Sequence, residues 1–80
     1  MDNLEKYKKV FVDTFSVNNE QLEKNLEYDS IPEWDSVGHM TMVAALEETF
    51  DITLEMDDII DFSSFNFGKE ILTKYNIEIK

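Results

Sequence analysis

Apolar residues recur at three- and four-residue spacing over Leu4, Tyr7, Phe11 and Phe15, with Val10 on the same side, so the sequence predicts an amphipathic helix over residues 3–15. Asn3 offers its N-cap. Asp2/Lys6 and Glu5/Lys9 are i,i+4 pairs with the acid N-terminal, the favourable order. The clearest helical pattern covers 36–50. His39, Val43, Leu46 and Phe50 lie along one stripe there, Met40 and Met42 flank it, and Glu47 and Glu48 fall on the outer side. Asp35 or Ser36 caps the start and Asp51 ends the run. Gly38, in the first turn, costs about 1 kcal/mol of helix propensity relative to Ala.

Between these helices, residues 16–34 show no sustained period. Leu22, Leu26, Ile31 and Trp34 are spaced apolar anchors in a polar stretch, Asn18 and Asn19 begin a short helical turn through Glu23, and Pro32 disfavours helix at Ile31. A connection this long in a small domain is functional or is packed down by its own side chains. After residue 50, Ile52 and Leu54 read as buried residues of a turn or extended link, and Asp57, Asp58, Ile59, Ile60 and Phe62 suggest a short helix. Ser63, Ser64 and Asn66 offer caps for a last helix over 65–75, with Phe67, Ile71 and Tyr75 as its stripe, Leu72 alongside and Asn76 as its stop. Ile77-Glu78-Ile79-Lys80 alternates like a strand but has no partner and is read as tail. There are no repeats, low-complexity segments or Gly/Ser linkers. The expectation is one all-α domain over 1–80: a small helical bundle of three main helices plus a short one, with a long first connection. Phe11, Phe15, Leu46, Phe50, Ile71 and Tyr75 should meet in one cluster.

Composition narrows the function. The chain of 80 residues has 18 acids against 7 lysines and no arginine, for a net charge of -11. Residues 1–24 and 69–80 together are neutral, so the whole excess lies in 25–68, which holds eleven acids and no lysine. Such a segment repels phosphates, which argues against nucleic acid as a partner. It is either a solvated face that keeps the protein soluble or a docking surface for basic partners. The absence of cysteine excludes disulfides and thiolate zinc sites. The longest apolar run, Met42–Leu46, is too short to span a membrane, and the first residues lack the apolar stretch of a signal peptide. A cytoplasmic monomer is expected.

Candidate chemistry is sparse. Ser36 and the only histidine, His39, can share a helix face, but no third group is placed to orient the imidazole, so the expectation is no enzyme and no catalytic residue. Asp51-x-Thr53-x-Glu55-x-Asp57 invites a calcium loop, but Met56 and Phe62 stand where that loop needs Gly and Glu, and no metal site is expected. The informative segment is Glu33-Trp34-Asp35-Ser36-Val37-Gly38-His39-Met40, which sets a serine behind an aspartate at the mouth of the best helix. Free amide N–H groups and the positive dipole end favour a phosphate ester there, although an ordinary cap serine fits the same position. Asp29-Ser30-Ile31 repeats the Asp-Ser-aliphatic pattern, but Pro32 follows and no helix opens behind it.

Asp35-Ser36-Val37, followed by Val43, Ala45-Leu46-Glu47-Glu48 and Phe50-Asp51-Ile52, closely resembles the acyl carrier protein family. The resemblance covers roughly residues 4–75 and is tight over 34–52. It implies an acyl-carrier-like bundle with phosphopantetheine, taken from coenzyme A by a phosphopantetheinyl transferase with magnesium, attached to Ser36. Acyl groups would then travel as thioesters to acyl-loading and acyl-using enzymes with basic patches, and the arm would supply the thiol that the chain lacks. Trp34 before the motif looks like variants that include aminoacyl carriers, so an aminoacyl or peptidyl carrier is the alternative, and an unmodified acidic interaction module is a further one. By the same resemblance, Asp35, Val37, Gly38, Met40, Thr41, Glu47 and Glu48 form the motif and docking surface. Val37 replaces the usual Leu, and Gly38 and Thr41 stand where acids are common. Met40, Met42, Ala44 and Ala45 suit either a plastic interior that shields an acyl chain or ordinary packing.

Overall fold

The structure, a computed structural model, describes residues 2–79. Five helices follow in order: α1 (Asn3–Phe15), α2 (Asn19–Glu23), α3 (Ser36–Phe50), α4 (Met56–Asp61) and α5 (Phe65–Thr73). Among the described residues there is no strand, only a single antiparallel bridge between Glu27 and Ser64. The fold is all-α, as the periodicities imply, and no helix is long and apolar enough to cross a membrane.

α1 and α3 keep the predicted bounds. Asp2, rather than Asn3, caps α1 by accepting from Glu5 N–H, and Lys9 pairs with Asp13 at 2.8 Å rather than with Glu5. Tyr7, Val10, Phe11 and Phe15 form the buried stripe of α1, which packs along α3. The stripe of α3 is His39, Met42, Val43 and Leu46, while Phe50 is only half-buried at the rim. Met40 and Ala44 face outward, so of the four small or flexible residues only Met42 is core. α2 is a true five-residue helix closed by a reciprocal capping box between Asn18 and Gln21.

The chain after α4 departs most from expectation. Ser64 caps α5, whose inward face is Phe65, Gly68, Ile71 and Leu72, so Phe67 is exposed and the helix ends at Thr73. The phase is set by close approach. A Cβ at Gly68 would lie 2.2 Å from both the Phe62 ring and the Tyr7 hydroxyl, so only glycine lets α5 sit on α1 here. Tyr7 donates to the Phe65 carbonyl at 2.6 Å across the same contact, and burial pushes its phenol well above its usual pKa. Tyr75 lies beyond α5 and packs against the core edge. Nor is the segment after Asn76 a free tail. Asn76 turns the chain in the left-handed region, Ile77 is buried, and the Glu78 carbonyl accepts from the Asn3 side chain at 3.1 Å. Lys80 lies outside the described residues.

Phe11 sits at the centre of the core. Its ring meets Tyr7, Phe15, Trp34, Phe62 and Phe65 at centroid distances of 5.0–6.3 Å, mostly edge to face.

Candidate functional site

The loop between α2 and α3 sets the position of Ser36. Phe65 N–H donates to the Leu26 carbonyl at 2.7 Å, Asn66 N–H to the Asn25 side chain at 2.9 Å, and Tyr28 N–H to the Ser63 carbonyl at 2.9 Å. These bonds stitch the loop to the head of α5. Asn25 and Asp29 take left-handed backbone angles at its bends. The Trp34 carbonyl accepts from Asp29 N–H, and the indole is fully buried, stacked on Phe15 at 5.1 Å. The next two residues therefore leave a rigid anchor. Asp35 caps α3 through Gly38 N–H at 2.8 Å, and Ser36 is the first helical residue.

Ser36 is exposed, with its hydroxyl 3.4 Å from that of Tyr28. Ser30 differs: its hydroxyl is turned onto the Glu27 carbonyl at 2.6 Å and faces no helix mouth. Beside Ser36 a cleft of about 440 Å³ runs between α3 and α4. Ser36, Tyr28 and Ser63 line its polar rim, and His39, Met40, Met56, Ile59, Ile60 and Phe62 its apolar walls. Met40, Met56 and Ile60 remain 52, 69 and 70 % exposed, and Val37 beyond the cleft is 75 % exposed. So continuous a strip of large apolar side chains is uncommon on a small acidic protein and is the kind of surface that binding sites use.

His39 is buried at the inner end of the cleft, and both ring nitrogens are engaged. Trp34 Nε1–H donates to Nδ1 at 2.9 Å, and Nε2 meets the Ile59 carbonyl at 2.8 Å. Neither nitrogen is left to act as a base toward Ser36. α4 is also held through Asp58, the neighbour of Ile59. Its carboxylate receives Lys74 Nζ and the Tyr75 hydroxyl, and these two bonds hold it below its usual pKa. The bond to Asp58 raises Lys74, while Tyr75 is raised first by burial and then by its bond to Asp58. Asp58 is thus removed from the set of uncompensated acids in 25–68.

No family model, curated protein or solved structure matches the chain. The site accordingly rests on its own geometry.

The residues singled out by sequence divide into two groups. Ser36, Val37 and Met40 share the exposed face at the head of α3. Asp35, Gly38 and Thr41 serve the helix itself. Asp35 is the cap, and a Cβ at Gly38 would lie 2.0 Å from the Glu33 carbonyl oxygen. The Thr41 hydroxyl donates back to the Val37 carbonyl at 3.0 Å. Glu48 is exposed, but Glu47 is half-buried and accepts from Leu54 N–H at 2.9 Å, which ties down the link to α4. Sequence reasoning missed Tyr28, Met56 and the Trp34–His39–Ile59 contact. A lone tryptophan in a polar stretch was the one local sign of the last. Among the described residues no group of His, Cys, Asp and Glu gathers to hold a metal ion.

Proposed function

We propose that this protein is a carrier of the acyl carrier protein type, which bears phosphopantetheine on Ser36 and presents thioesters to other enzymes. One observation carries the reading: an exposed serine hydroxyl at the first residue of a 15-residue helix, opening on an apolar cleft of about 440 Å³. The helix order also supports a carrier-like bundle, with a long α1, a long connection, a capped α3 led by the serine, a short α4 and a closing α5.

The residues present fit the group. Ser36 Oγ is accessible as the nucleophile toward the pantetheine-bearing phosphorus of coenzyme A; the hydroxyl proton and adenosine 3′,5′-bisphosphate would leave as the pyrophosphate bond breaks, and the phosphodiester formed would lie at the positive end of α3. Asp35 keeps Gly38 N–H occupied and fixes the first turn. When attached, the group supplies the thiol that this cysteine-free chain lacks. The exposed Val37, Met40, Met56 and Ile60 give partner enzymes an apolar contact, and Glu48, Asp51, Asp57 and Asp61 give them a field to find at long range. The cargo is an acyl group in this reading; an aminoacyl or peptidyl cargo is the variant that Trp34 favours.

Incubation with a phosphopantetheinyl transferase, coenzyme A and magnesium, followed by intact mass, tests the proposal. A gain equal to phosphopantetheine that disappears in Ser36→Ala supports it. No gain with several transferases would leave the unmodified acidic module as the reading, and label on Ser30 would move the site.

A further inference from the structure

We propose that His39 is a proton-sensitive positioning residue that locks the loop leading into Ser36. The chemistry of its two partners dictates its state. An indole N–H can only donate and a carbonyl oxygen can only accept. Nδ1 must therefore be bare to receive Trp34, and Nε2 must carry the proton given to the Ile59 carbonyl. Only one neutral tautomer makes both bonds. The imidazole thereby joins the loop through Trp34, its own helix α3, and α4 through Ile59.

A proton added to Nδ1 treats the two bonds oppositely. It sets an N–H against the Trp34 N–H, so that bond is lost, while the donor to Ile59 becomes charged and that bond strengthens. α4 stays attached and the loop loses its tie. A fully buried indole N–H without an acceptor is costly, and Trp34 can regain one only by shifting toward water. Its carbonyl anchors Asp29 and it stands two residues before Ser36, so the shift loosens the turn that presents the serine.

The surroundings of the ring leave this response to His39. Tyr28 meets it edge-on at 5.4 Å and Phe62 at 6.1 Å, and the Trp34 ring lies parallel at 6.2 Å. On α3 the Asp35 carboxylate is bound to Gly38, and on α4 Asp58 is bound to Lys74 and Tyr75. Among these ring contacts Tyr28 alone carries a titratable group. The latch stands apart from the carrier reading; only its consequence for modification at Ser36 rests on it.

The test uses the unmodified protein and needs no coenzyme. Trp34 is the only tryptophan and His39 the only histidine, so nitrogen NMR shows one indole N–H and one imidazole. While neutral, the ring should be the Nε2–H tautomer. Once acid has charged the ring, as its own nitrogen shifts report, the protection of the indole N–H, its exchange relative to the intrinsic rate at the same pH, should fall roughly tenfold, the worth of about one hydrogen bond, with the helical circular dichroism intact. His39→Asn keeps an acceptor near the Nδ1 position without a titrating group, so the protection of its indole N–H should stay constant over the same pH series. A neutral Nδ1–H tautomer, an indole protection indifferent to the charging of the ring, or loss of helical circular dichroism together with the indole signal would each overturn the latch. A failed phosphopantetheinylation with the titration as described would sink the carrier reading and leave the latch standing.

Discussion

Two apolar regions meet at Trp34 and are built on different terms. On one side, Tyr7, Phe11, Phe15, Phe62 and Phe65 form a closed aromatic core in which every ring is buried and has edge or face contacts. On the other, Met40, Met56 and Ile60 line an open cleft and remain more than half exposed. The first region uses rigid rings at fixed distances, which suits one unique packing. The second uses a flexible thioether on each of two helices, and one of them, α4, has six residues and no side-chain N-cap. Polar ties at Asp58 and His39 hold α4 where apolar burial does not. The core therefore carries the stability, and the cleft leaves large apolar side chains open to solvent.

The largest effect should come from the core. Phe11→Ala removes the ring shared by five aromatic neighbours and should cost about 3–5 kcal/mol in urea unfolding. A loss under about 1 kcal/mol would mean that the core can collapse around the gap, and the contrast with the cleft would fail. Gly68→Ala should come next, at about 1–3 kcal/mol, because the added carbon meets the Phe62 ring and the Tyr7 hydroxyl. Near-neutral behaviour there would show that α5 slides freely on α1.

The sequence made one of these regions far more legible than the other. The bounds of α1 and α3 follow from period and caps, and Ser36 follows from its place behind Asp35. Those signals are local. The phase of α5 is not local: Phe67 fits a stripe through Ile71 as well as Phe65 and Gly68 do, and only the approach of Tyr7 and Phe62 decides between them. Ile77 looks like tail because its partners lie at the far end of the chain. The cleft is harder still. Tyr28 reaches Ser36 because its backbone is tied to Ser63, and His39 reaches Ile59 across twenty residues, so neither contact leaves a trace in spacing.

The tie at Asp58 gives a pH test of how α4 is held. Lys74 and Tyr75 lower the Asp58 pKa in the folded state, so its contribution to stability is complete above the ordinary carboxylate range. That contribution is lost as pH falls through the lowered value. Asp58→Asn should therefore be less stable than the parent at neutral pH, and the gap should close in acid, where both side chains are neutral. A gap that is constant down to about pH 2 would assign the loss to packing, not to the carboxylate.

The cleft should tolerate what the core does not. Met56→Ala and Ile60→Ala remove exposed side chains and should shift stability by no more than about 0.5 kcal/mol each. If the strip serves partners, both should slow modification of Ser36 by a transferase while the melting temperature holds. Unchanged rates with unchanged stability would remove the partner role from this surface.

The smallest effect on the fold comes from charge, and it sets the two regions apart once more. The ion pairs among the described residues are Lys9–Asp13 on α1 and Lys74–Asp58, which joins the end of α5 to α4. Ten carboxylates of the 25–68 segment thus lack a lysine, and Glu48, Asp51, Glu55, Asp57 and Asp61 crowd the exposed end of α3, the link after it and α4. Their repulsion is screened as the Debye length shortens to about 8 Å at physiological ionic strength. The melting temperature should rise with moderate salt, and divalent cations should act at lower concentration. The same acids should draw in a basic partner, so its on-rate should fall over the same salt series. The opposed signs separate the two roles. A melting temperature and an on-rate that fall together would show ion pairs holding the fold, against the aromatic core as its main support. An on-rate indifferent to salt would show that partners find the cleft by its apolar strip alone.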